Sequence, residues 1–178
     1  ALERAARHRL AVQVISQLDF CQREDFDRQM TEALKACDVE LVVLAGFMRV
    51  LTPFFLRSFP GRIMNIHPAL LPAFPGLHVQ QQAVDYGVKF AGCTVHFVDE
   101  GVDTGPIIIQ AVVPVCDDDS ANTLAARILR EEHLIYPRAI QLYAEGRLEV
   151  QGRKVVVAGV RQSESKALHN PSLGMFAT

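Results

Sequence analysis

Aliphatic residues along this chain recur in two periods. From Arg23 to Ala36, Phe26, Met30, Ala33 and Leu34 fall at helical spacing, which predicts an amphipathic helix. VELVVLAG, residues 39–46, is continuously apolar and ends in glycine, as a parallel strand covered on both faces would be. LAVQVI at 10–15 is read in the same way as a buried strand. Pro53 opens a short helix carrying Phe54, Phe55 and Leu56, and GRIMNIH at 61–67 forms a strand stopped by Pro68.

The second half changes period. AGCTVHFV, residues 91–98, alternates Cys93, Val95 and Phe97 against Thr94, His96 and Val98, and GPIIIQAVVPV at 105–115 is another strand. Between the strands, Gly76 to Tyr86 reads as a helix closed by Gly87. Asp119 or Ser120 caps a long helix running toward Gly146, with a bend expected at Pro137. RLEV and KVVVAG, either side of Gln151-Gly152, make a terminal hairpin.

Helices and strands alternate early and strands pair late. That order predicts a Rossmann-like α/β fold with a central, mostly parallel sheet, antiparallel C-terminal strands, and helices on both faces. One domain is expected over residues 1–158, with a polar, unpatterned and flexible tail over 159–178. ALERAARHR at the start reads as the end of a helix already under way.

Composition removes some partners. A formal charge of −2 gives no bulk electrostatic reason to bind nucleic acid or an anionic membrane. No apolar run approaches the roughly 20 residues of a membrane span, and no secretory signal is visible. Cys21, Cys37, Cys93 and Cys116 are scattered without a CxxC pair, so they are read as reduced core or near-core thiols of a cytoplasmic protein.

The candidate chemistry lies in IMNIHPALLPAFPG, residues 63–76, where an aliphatic strand gives way to a proline-studded loop. Asn65 and His67, two apart on an extended strand, project to the same side at its carboxyl end, where such sheets bind ligands. An imidazole beside a carboxylate exchanges protons near neutrality, and an amide NH₂ can donate to an oxygen gaining negative charge. DEGVDTG, residues 99–105, offers Asp103 as that carboxylate. Taken alone, the same residues also suit a structural histidine and an ordinary turn, so an enzyme and a small-molecule binding module both stay open.

LAGFMRVLTP, NIHPALLPAFPGLH, HFVDEGVDTGP and EEHLIYP, in this order, resemble the phosphoribosylglycinamide formyltransferase family of folate-dependent enzymes over residues 1–158. The resemblance implies the formyltransferase-type α/β fold and transfer of a formyl group from 10-formyltetrahydrofolate, the co-substrate, to the amine of glycinamide ribonucleotide in purine synthesis. It makes Asn65, His67 and Asp103 the catalytic residues and implies a cis Leu71-Pro72 bond.

The same resemblance implies folate binding by Arg23, by Met48, Arg49, Val50 and Leu51, by Asn65, and by Asp99, Glu100, Gly101, Val102 and Asp103. Ribonucleotide binding falls to Leu129, Arg130, Glu131 and Glu132, and His78 sits near the folate tail. No metal, nucleic acid or membrane is implied; the partners are these small molecules, for a monomer or homodimer. The family opens with a strand and a glycine-rich phosphate loop that this chain lacks, so an N-terminal segment is expected before Ala1. Formyltetrahydrofolate deformylase, which resembles the same Asn-His-Asp set, and a folate-binding module without chemistry are the alternatives. A methionyl-tRNA formyltransferase is disfavoured, since no basic C-terminal RNA-binding domain is seen.

Overall fold

The computed structural model describes residues 2–159 together with 168 and 170. Its elements run α1 (Leu2–Arg7), α2 (Arg23–Ala36), β1 (Val42–Leu44), α3 (Pro53–Ser58), β2 (Ile63–His67), α4 (Val79–Tyr86), β3 (Phe90–Phe97), β4 (Ile107–Pro114), α5 (Ala121–Ala144), β5 (Leu148–Gln151) and β6 (Lys154–Val157). One sheet holds all six strands in the order β1-β2-β3-β4-β6-β5. β1, β2, β4 and β6 point one way, while β3 and β5 run opposite. Among the described residues, no helix is long and apolar enough to cross a membrane.

Alternation along β2 sorts the helices. Ile63 packs with Phe55, Phe59 and the α2 residues Met30 and Leu34, whereas Met64 packs with Tyr136 and Ala139 of α5. Successive strand residues face opposite sides, so α2 and α3 cover one face and α5 the other. Cys93 and Val95 of β3 lie, fully buried, on the α5 side. Thr94 and His96 of the same strand, on the opposite face, are also buried, at 0% and 2% exposure.

Local chemistry explains the boundaries. Thr52 caps α3, with Pro53 following as the first helical residue, and the buried Asp27 of α2 accepts from the Thr52 amide at 2.7 Å. Ser120 and Thr123 form a reciprocal capping box at the start of α5, and Pro137 lies inside that helix. Gly87 closes α4 at φ 77°, a left-handed conformation that glycine adopts without steric cost.

Several expectations are corrected. LAVQVI forms no strand: Leu10, Val12 and Val14 are 64%, 50% and 70% exposed, and among the described residues no ladder partner lies beside them. Apolar alternation promises a strand only where a neighbour supplies hydrogen bonds. Of the four cysteines only Cys93 is buried; Cys21, Cys37 and Cys116 are exposed. Cys21 and Cys37 flank α2 and Cys116 follows the end of β4, all three in loops rather than on a face turned to the core. The tail expected from 159 onward falls almost wholly outside the described residues.

Candidate active site

The β2–β3 register pairs Asn65 with His96 and His67 with Thr94. Directly opposed residues of an antiparallel pair share a face, so all four side chains project from the side away from α5. The loop after β3 folds back over that face and brings Asp103 onto it. Gly105 allows this: a Cβ there would lie 1.8 Å from the carbonyl oxygen of Phe97. Asp103 itself stands at φ 55°, in the left-handed region that Asp and Asn tolerate better than other side chains. From the sheet edge, Arg153 Nη2 donates to the Thr104 carbonyl at 2.8 Å and ties the terminal hairpin to this loop.

His67 is 4% exposed and both its nitrogens are engaged. Nε2 lies 2.8 Å from the carbonyl oxygen of Phe74. A carbonyl can only accept, so Nε2 carries the proton and the neutral ring leaves Nδ1 bare. Nδ1 lies 3.4 Å from Asp103 Oδ2, and that same oxygen accepts from the Gly76 amide at 2.9 Å. Protonation of His67 therefore occurs at Nδ1, on the side of the carboxylate.

His96 has the opposite tautomer. Its Nδ1 donates to the Phe97 carbonyl at 2.8 Å, leaving Nε2 to accept from the Asn65 amide at 3.3 Å. Burial holds this imidazole below its ordinary value of 6.5, against the opposing pull of the Phe97 carbonyl and Asp103. A neutral His96 thus takes one N–H of Asn65 and leaves the other free to donate elsewhere.

Two cavities meet here. A larger one of about 350 Å³ is lined by Asn65, His67, Gly76, His78, Met48 and Asp103 among others. That is within the range of small-molecule sites. A smaller one, of about 90 Å³, adjoins it and shares Asn65, Arg49, Val50 and Asp103 while adding Leu51, Asp99, Gly101 and His96. Val102 lines both.

Not every expected residue gathers here. Arg23, the first residue of α2, is exposed and lines neither cavity, and Glu100 lines neither. Leu129, Arg130, Glu131 and Glu132 lie on α5, outside both cavities. Burial raises the Glu132 carboxyl, against the opposing pull of the His133 and His67 imidazoles.

Sequence reasoning missed the partnership of His96 with Asn65, the Phe74 carbonyl, the Gly76 amide and the lining by Leu44, Phe47 and Val98. The HxF alternation put His96 on the face of Thr94, but only the register sets it against Asn65. The Leu71-Pro72 bond is cis, as the resemblance implied.

An amide donor, an imidazole and a carboxylate around an open cleft on an α/β sheet make an arrangement suited to acyl-group chemistry, where an oxygen gains charge. The formyl transferase family matches residues 1–140, and this chain belongs to it. The chain is 42% identical over 160 residues to the phosphoribosylglycinamide formyltransferase of Escherichia coli, covering 90% of this chain and 76% of that protein. It is 53% identical over 145 residues to the trifunctional purine biosynthetic protein adenosine-3 of Drosophila melanogaster, 82% of this chain but 11% of that protein.

Among solved structures, glycinamide ribonucleotide transformylase 1 from Symbiobacterium toebii matches with a TM-score of 0.86 at 54% identity, over 88% of this chain and 74% of its own. A formyltetrahydrofolate deformylase from Pseudomonas syringae matches with a TM-score of 0.81 at 30% identity, over 88% of this chain and 52% of its own. The chain thus spans about a tenth of the trifunctional relative and about three quarters of the E. coli one.

Proposed function

We propose that this protein transfers the formyl group of 10-formyltetrahydrofolate to the primary amine of glycinamide ribonucleotide. The observation that carries the reading is the meeting of Asn65, His67 and Asp103 on the wall of one cleft. The names of the E. coli and Symbiobacterium relatives support the substrates. The amine nitrogen bonds to the formyl carbon, the carbonyl electrons move onto oxygen, and the bond from carbon to the folate nitrogen then breaks.

Asn65 donates its free N–H to that oxygen, and the positive charge of His67, when protonated at Nδ1 against Asp103, stabilises it from beside. Asp103 holds the imidazolium in place and accepts the amine's proton on its way to the departing nitrogen, directly or through one water. The formyl group is already activated and the amine is nucleophilic, so the scheme needs no metal. The smaller cavity takes the folate ring edge against Arg49, Val50, Leu51 and the loop from Asp99 to Asp103. Met48 extends that contact, Glu100 lies on the same loop, and the resemblance assigns Arg23 to the folate and Glu132, with Leu129, Arg130 and Glu131, to the ribonucleotide. The four free cysteines are in keeping with work in a reducing cytoplasm.

The likeness to a deformylase favours one second reading, hydrolysis of the same folate. One assay separates the two. Folate release by the intact protein is measured with and without glycinamide ribonucleotide. Release that depends on the amine supports transfer; equally fast release in its absence overturns it in favour of the hydrolase.

A further inference from the structure

The loop of residues 68–76 supplies the Phe74 carbonyl to His67 and the Gly76 amide to Asp103. Its own position is set from the sheet. Thr94 Oγ1, with no exposure, donates to the Ala69 carbonyl at 2.7 Å. It accepts from the Leu71 amide at 3.1 Å and from Gln110 Nε2 at 2.9 Å. Gln110 Nε2 also donates to the Leu71 carbonyl at 2.9 Å. A hydroxyl has one proton and two lone pairs, and an amide nitrogen has two protons, so each group is fully used. Thr94 and Gln110 are register partners on β3 and β4, a rigid base for the clamp.

Only two residues separate the clamped Leu71 from Phe74, and one of them is Pro72, with Pro75 just beyond. Prolines fix φ, so a shift at residue 71 travels to 74 and 76 instead of being absorbed. Loss of the clamp would move the carbonyl that keeps the proton on His67 Nε2 and the amide that holds Asp103 Oδ2.

We propose that Thr94 and Gln110 are positioning residues for the His67–Asp103 pair, acting through the loop of residues 68–76. Neither lines either cavity of the site, so neither is placed to touch substrate. The kinetic consequence rests on the formyl-transfer reading; the state of the imidazole does not.

Thr94→Val keeps the shape and removes the hydroxyl, Gln110→Leu removes two of the four bonds, and Thr94→Ser restores the hydroxyl. Two readouts are taken on the intact protein: steady-state kinetics of formyl transfer, and the His67 tautomer by ¹⁵N-detected NMR at a pH where the ring is neutral. Thr94→Val is expected to lower kcat by roughly tenfold to a hundredfold, as displaced catalytic groups do. KM for the formyl donor should stay within about twofold, because the folate contacts remain. The single Nε2–H signal should give way to a mixture, and Thr94→Ser should recover most of both properties. If Thr94→Val does not fold, Gln110→Leu carries the test, with a smaller change in the same direction. A folded variant of either kind with wild-type kcat and a pure Nε2–H tautomer overturns the proposal, as does a rise in KM at constant kcat. Should the wild type transfer no formyl group, the functional reading fails, and the NMR comparison alone decides the clamp.

Discussion

Asn65 and His96 divide one task between them: the neutral ring accepts one amide proton and so aims the other. Asn65→Ala is expected to lower kcat by about 10²–10³ in formyl transfer, with KM for the donor little changed in steady-state assays. Burial lowers the folded pKa of His96, so the unfolded chain takes up this proton first. The stability that follows is complete above the ordinary value of 6.5 and is lost as pH falls through the folded value. Thermal midpoints measured from about pH 7.5 down to about pH 5 should therefore fall more steeply in the wild type than in His96→Gln. Asn65 and His67 were legible because a strand end followed by proline is a local signal. Their partners were not, because the Phe74 carbonyl and the Gly76 amide are backbone groups that any residue carries.

Single elements hold the frame around these residues. Tyr136 of α5 sends its hydroxyl between the Leu44 carbonyl, at 2.6 Å, and that of Met64, at 3.0 Å, tying β1 and β2 to the helix. Tyr136→Phe removes the one proton these two carbonyls share and is expected to cost about 1–2 kcal/mol in denaturant unfolding. At the other end of α5, Arg127 grips Asp119 with both nitrogens, at 2.6 and 2.9 Å, and donates to the Pro114 carbonyl. That fork holds the Asp119 carboxyl well below the usual carboxylate range. A depressed folded pKa gives stability that is present above the unfolded value and disappears as pH falls through the folded one. Asp119→Asn should therefore cost about 1 kcal/mol near neutrality, the guanidinium being partly open to solvent. The difference from wild type should close in acid unfolding curves. The start of α5 could be read from Ser120 because caps are local; LAVQVI was misread because pairing is not.

Over the whole molecule, strand order and register were the illegible part. Nothing in AGCTVHFV says that it runs against β2 and sets His96 opposite Asn65, although its alternation told which side chains share a face. The one deeply placed thiol follows from that alternation. Cys93, fully buried against α5, has its pKa pushed up to about 12, first by burial and then by Glu132 and Glu131. Native protein treated with a maleimide should accept label at Cys21, Cys37 and Cys116 and leave Cys93 unmodified until unfolded, as read by peptide mass spectrometry. The bond from Arg153 to Thr104 carries a last consequence. The outermost hairpin moors the segment that carries Asp103, so trimming the polypeptide back to the end of α5 would keep Asn65, His67 and Asp103 in the chain yet leave the Asp103 loop with one tether fewer.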